Sequence, residues 1–418
     1  MRGAPRHDCP RGGRACIHRR MRDPAPAAPW FRRAATLGAL CLAVVLLAAP
    51  RSRAGDDATV SRLLQGFDEL VFRVDGAGLI GTRKWRTGLR VQIVGTPEDG
   101  AEAMALEIVA QAATLAGLAT ERVAADGNFV LRFERTTPYV VAGRTAACYA
   151  TTRADATGAL TLAQLFINQG HADLRTCLVH EVMHGFGFPG HPHALDTVLS
   201  YAHRRDAYTE LDIAAFRTLY DPRLRTNAYY LPGLLVARQI IAERTGAIAP
   251  GASSAHLAQA PLDRALAYLT AEAERGNAYA QRQLGLAHYT GQRVARDDAR
   301  AVTWWRRASD GGDVDARYLL GEAARDGRGG PRDAQAAQDH HLAAAARGHV
   351  LAMMRAARGL EQGIGGAPDP VAAAIWYLVA AQNGHAAARQ EGERILASLT
   401  PSEQASARHR ARLWHSVR

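Results

Sequence analysis

Along residues 89–95, "LRVQIVG", apolar and polar positions alternate with a period of two, which predicts a strand. The stretch 101–118, "AEAMALEIVAQAATLAGL", changes to helical spacing, and "NFVLRFER" at 128–135 returns to alternation. Residues 148–168 read as two extended segments separated by the turn-forming "ADATG". A helix is expected over 172–186, with Val179, Val182 and Met183 facing a core, and another helical stretch over 227–245. From about Leu63 to Asp221 the chain therefore reads as mixed α and β. "GAIAPGASSAHLAQAP" at 246–261 has linker composition.

After Pro261 the chain repeats itself. Ala280, Ala316 and Ala352 are 36 residues apart, as are Gly291, Gly327 and Gly363, and Asp297, Asp333 and Asp369. Trp304, His340 and Trp376 share one further slot. Such a period means stacked helical hairpins, with small residues where helices touch, Gly at the turns and aromatics filling gaps. The pattern "YAQRQLGLAHYTGQRVARDDARAVTWWRRASDGGD" resembles the Sel-one-like repeats, relatives of the tetratricopeptide repeats. Three units cover 278–385, with a half unit from Leu262 and a closing helix afterwards. The resemblance implies an all-α solenoid over 262–398 that takes a protein partner, followed by a tail at 399–418.

Charge changes this picture little. The formal net charge is +11, but residues 1–54 carry eleven Arg against Asp8 and Asp23, a net of +9 that leaves +2 for the rest. The basic balance belongs to the leader and does not point to nucleic acid. Lys84 is the only lysine. The leader has the parts of an export signal: Arg32–Arg33, the apolar run 34–49 and "SRA" ending at Ala54. Residues 1–54 are thus expected to direct the protein to the periplasm or outside, the alternative being a retained inner-membrane anchor; no other segment calls for a membrane. Past the leader only Cys148 and Cys177 remain. In an oxidising compartment they are expected to form a disulfide, against the alternative of two buried thiols.

"CLVHEVMHGFGFPGHPH" at 177–193 carries the chemistry. His180 and His184 are four apart on an expected helix, so their imidazoles project from one face and can share a tetrahedral zinc. Glu181 lies beside the first donor, where a general base for a zinc-activated water is needed. The third donor is expected from the loop that follows: His191 is the first candidate, with His193 and Asp196 as alternatives.

This segment resembles the metzincin peptidases. Gly187 stands three residues after His184, "DTVLSY" at 196–201 looks like their Met-turn segment, and "YTELDIAAFRTLY" at 208–220 stands where their last helix opens. The family's third ligand falls six residues after the second, which here is Gly190; His191 is one residue late, and Leu199 replaces the turn's Met. The resemblance implies an α+β metzincin-like zinc domain over 55–225, ahead of a helix and linker at 226–261. It also implies peptide-bond hydrolysis, with Zn2+ on His180, His184 and His191, Glu181 as base and Tyr201 donating to the oxyanion. The rival reading is an inactive metzincin-like protein that works through its repeats alone.

Overall fold

Val60, Leu63, Leu64, Phe67, Leu70 and Val71 recur at helical spacing and are all buried, so the first described element is an amphipathic helix, α1 (Ala54–Val71). The structure is a computed structural model that describes residues 54–74, 78–135, 139–141, 144–170, 172–192, 194–200 and 202–416. The export signal or anchor expected over 1–54 lies outside these residues except for Ala54. Among the described residues no helix is long and apolar enough to cross a membrane.

A short antiparallel hairpin follows α1, made of β1 (Arg73–Val74) and β2 (Gly78–Leu79). The expected alternations then become strands of one five-stranded sheet: β3 (Leu89–Gly95), β4 (Thr120–Val123), β5 (Phe129–Glu134), β8 (Cys148–Ala154) and β9 (Leu160–Asn168). Between β5 and β8 lies a separate hairpin of β6 (Tyr139–Val141) and β7 (Arg144–Ala146). The sheet order is β4-β3-β5-β9-β8, parallel throughout except for the antiparallel edge strand β8. Phe129, Leu131 and Phe133 pair in register with Ala163, Leu165 and Ile167, and all six are buried. Period-two patterning thus sends one face of β5 and β9 into the core. That face shares one apolar cluster with α2 (Ala101–Ala116) and α3 (Leu174–Gly185). Helices α4 (Glu210–Leu219) and α5 (Tyr230–Arg244) complete this mixed α/β region.

The rest is an all-helical solenoid. It runs from α6 (Gln259–Glu274) through α7 (Ala278–Thr290), α8 (Asp298–Asp310), α9 (Val314–Asp326), α10 (Ala334–Ala346), α11 (Val350–Gln362) and α12 (Pro370–Gln382). It ends in α13 (Ala386–Leu396) and α14 (Pro401–Ser416). The 36-residue register is physical: Asp297, Asp333 and Asp369 each cap a helix by accepting from the amide three residues on. Ala280, Ala316 and Ala352 are fully buried where helices touch.

Three expectations need correction. The gap-filling aromatics are not Trp304, His340 and Trp376, which are only half-buried, but their successors Trp305, His341 and Tyr377, at 1%, 3% and 1% exposure. Adjacent residues on a helix point about 100° apart, and a period alone does not say which of two neighbours faces inward. Residues 246–258 are no free tether. Leu257 and Ala258 are buried, and the Ala258 amide donates to Asp57 Oδ1 at 2.7 Å, so one apolar cluster runs unbroken from Val60 to Ala287. The tail at 399–418 is largely α14, capped by Thr400 and packed through Ala407 and Ala411.

Candidate functional site

Asp173 caps α3 by accepting from Thr176 N, and the helix then carries Cys177, His180, Glu181 and His184 in successive turns. The loop after α3 brings His191 back over it. The three imidazole Nε2 atoms converge: His180–His184 at 3.2 Å, His184–His191 at 3.0 Å and His180–His191 at 3.3 Å. Among the described residues this is the one cluster of three metal-ligating side chains.

The tautomers follow from the partners. His180 Nδ1 lies 2.9 Å from Val198 O and His184 Nδ1 lies 2.6 Å from Phe188 O. A carbonyl can only accept, so both Nδ1 atoms carry the proton and both Nε2 atoms present a lone pair. Two lone pairs facing each other at 3.2 Å cannot hydrogen-bond to one another. Burial first, and the neighbouring imidazoles next, hold His180 down to about 4 and His184 well below its ordinary value, so both are neutral at neutral pH. Donors of one tetrahedral ion with bonds of about 2.0–2.1 Å stand roughly 3.3–3.4 Å apart. The triad is close to that spacing, and the donor set suits a divalent first-row cation.

The elements behind each imidazole are specific. Asp212, fully buried in the first turn of α4, accepts from Thr197 Oγ1, from Val198 N at 3.2 Å and from Thr209 N at 2.8 Å. It therefore fixes the turn whose Val198 carbonyl orients His180, while Leu199 is wholly buried in the same turn. Beyond α3 the chain reverses at Gly187, whose φ of +96° and close approach to the Arg83 carbonyl both require glycine. Trp85 Nε1 donates to Gly185 O at 2.9 Å, and the Tyr220 hydroxyl donates to Phe186 O at 2.9 Å. Gly190 in turn sits on the end of α1, its amide donating to Leu70 O at 3.1 Å.

Glu181 is buried at 6% exposure. Burial pushes its carboxyl up to about 8, partly countered by a hydrogen bond from the Ala150 amide of β8. Cys148 at the start of β8 and Cys177 on α3 are joined as a disulfide, with Cα atoms 6.1 Å apart. Asp196 stands apart from the triad, half of its side chain exposed, in a 2.6 Å ion pair with Arg205. Tyr201 and the alternative donor His193 lie outside the described residues.

Sequence reasoning missed two supports. Thr209 and Asp212 form a capping box, a signal present in "TELD". Lys84 is buried, and its ammonium donates to the carbonyls of Leu219 at 2.8 Å, Asp221 at 3.2 Å and Leu224 at 2.6 Å. It thus ties the segment before β3 to the end of α4, and only its being the single lysine set it apart.

The fold and cluster define a protein that joins a mixed α/β unit bearing a three-histidine cluster to a helical-repeat solenoid. Residues 278–313, 314–349 and 350–385 are Sel1 repeats. Residues 61–227 match the family described as "Protein of unknown function (DUF2927)". No curated protein matches the chain. Among solved structures it is similar to a Sel1 repeat protein from Oxalobacter formigenes, 32% identical over 31% of this chain and 98% of that one, with a TM-score of 0.30. It is also similar to c5321, a protective antigen present in uropathogenic Escherichia coli strains displaying an SLR fold. That match is 21% identical over 44% of this chain and 48% of that one, with a TM-score of 0.27.

Proposed function

We propose that this chain is an exported, zinc-dependent metallopeptidase of metzincin type whose repeats take a protein partner. The observation that carries the reading is the convergence of three Nε2 atoms, two of them with the lone pair fixed inward by Nδ1–H donation to a carbonyl. His180, His184 and His191 would hold the ion. Zinc, when bound, supplies Lewis-acid polarisation of a carbonyl and acidification of water at the position that three protein ligands leave open. Glu181, next in sequence to the first donor and shielded from solvent, would accept the proton at its carboxylate, the form that a bound dication favours over the neutral acid of the metal-free site, and return it to the leaving amine. The carbonyls of Val198 and Phe188 hold the imidazoles in orientation throughout. Tyr201 is the expected donor to the developing oxyanion. A purely structural zinc site would fill all four positions with Cys or His and has no use for a buried carboxylate beside its first donor. The three Sel1 repeats support a protein partner.

The test is metal content together with hydrolysis of denatured, fluorescently labelled casein. Purified protein should carry one zinc. Glu181→Gln should keep that zinc and lose at least a hundredfold in rate. His191→Ala should bind zinc far more weakly than wild type, through the two remaining imidazoles. A metal-free wild type would sink the reading, whereas a metal-loaded protein without hydrolysis would leave the inactive, repeat-based alternative.

A further inference from the structure

The third imidazole depends on a part of the chain far from the histidine motif. Gly190 is seated on the C-terminal turn of α1: its amide donates to Leu70 O at 3.1 Å, and a Cβ there would run into the carbonyl oxygens of Glu69 and Arg73. His191 is the next residue, so wherever that turn of α1 goes, the third donor follows. The turn is itself held from the solenoid. Arg73 forms an ion pair with buried Asp68, and its guanidinium lies 4.1 Å from the ring centroid of Tyr268 on α6. Arg264 of α6 donates to Gln65 of α1 at 3.0 Å, and Ala258, at the start of α6, donates to Asp57 at 2.7 Å. Leu262, Ala265 and Leu269 of α6 share the apolar cluster of Leu64, Phe67 and Leu70.

We infer that α1 is a strut by which the first solenoid helix positions His191, with Gly190, Arg73 and Tyr268 as positioning residues for the metal site. This rests on the metal reading above. The α3 helix by itself presents two donors at fixed spacing; the third comes from a loop, and a loop keeps a donor in place only as well as the surface beneath it stays put. The repeats are then more than an appended partner-binding arm, because what moves α6 also moves the third ligand.

The experiment is zinc affinity of the full chain, measured by chelator competition. The variants are Tyr268→Ala, Tyr268→Phe and Gly190→Ala, each made in wild-type and His191→Ala backgrounds, with circular dichroism confirming the fold. Tyr268→Ala should weaken zinc by about tenfold and Gly190→Ala by roughly ten- to a hundredfold, the range for groups that orient a ligand. Tyr268→Phe, which keeps the ring over Arg73, should bind as wild type. In the His191→Ala background Tyr268→Ala should change nothing further, because its effect runs through that donor. Tyr268 is half-buried, so its variants decide the matter even where Gly190→Ala does not fold. Equal losses in both backgrounds, or no loss from Tyr268→Ala, would overturn the strut while leaving the metal site intact. A wild type that binds no zinc would overturn the metal reading and the strut with it.

Discussion

Reducing the Cys148–Cys177 bridge in otherwise unaltered protein should cost about 3.6 kcal/mol of stability, and the figure follows from the chain alone. The bridge closes a loop of 29 residues. The chain-entropy expression gives about 2.1 + 1.5R ln 29, or roughly 12 cal/mol/K, which is about 3.6 kcal/mol at 25 °C. Little packing is lost with it, since both sulfur-bearing side chains are buried and the two thiols keep their places. β8 also remains paired to β9 along its length. The effect therefore lies in the unfolded chain, which gains freedom and exposes more surface. Equilibrium urea unfolding with and without a phosphine reductant, in the presence of a chelator, should show a lower midpoint and a steeper slope on reduction. Zinc affinity of the reduced, folded protein should stay within a few-fold, because carbonyls rather than the bridge orient His180 and His184. Free energies of unfolding that agree within about 1 kcal/mol with and without reductant would refute the entropic account. Two free thiols in the intact mass of unreduced protein would refute the bridge itself.

Two further predictions concern stability. Burial alone would raise the Glu322 carboxyl, but His341 at 3.0 Å, Arg355 at 3.0 Å and Arg325 at 2.8 Å bring it from 4.5 down to about 2. A folded pKa below the unfolded one means that the stabilisation is full above about pH 4.5 and is lost as pH falls through 2. Glu322→Gln should therefore destabilise the solenoid by about 2–3 kcal/mol at pH 7 and flatten the loss of stability between pH 4.5 and 2; equal destabilisation at pH 7 and pH 2.5 in thermal melts would refute the linkage. Lys84→Met leaves three carbonyls without their ammonium donor and should cost about 3–5 kcal/mol in denaturant unfolding. In the wild type, amine-reactive labelling of this single lysine should be slow until the fold opens, and labelling at the rate of a free lysine would contradict its buried position.

What was legible in the sequence was whatever carries its own period. The alternation at 89–95 is β3 to the residue, and "ADATG" divides β8 from β9 as expected. The 36-residue register returns as a row of capped helices. What escaped depended on neighbours that no local pattern names. A run of Gly, Ser and Ala at 246–258 reads as a tether, yet Leu257 and Ala258 find the surface of α1 and α5 and bury there. α14 reads as a tail because its packing face is alanine, which carries little hydrophobic signal by itself. The candidate site divides along the same line. His180 and His184 are set by helical spacing, which a sequence displays, whereas His191 is delivered by a turn whose seat is the carbonyl of Leu70, 120 residues upstream. Gly190 rests on the end of α1, so the place of His191 depends on that helix end and not on the helical phase of α3. Spacing rules hold within an element; between elements, the surface on which the loop rests sets the register.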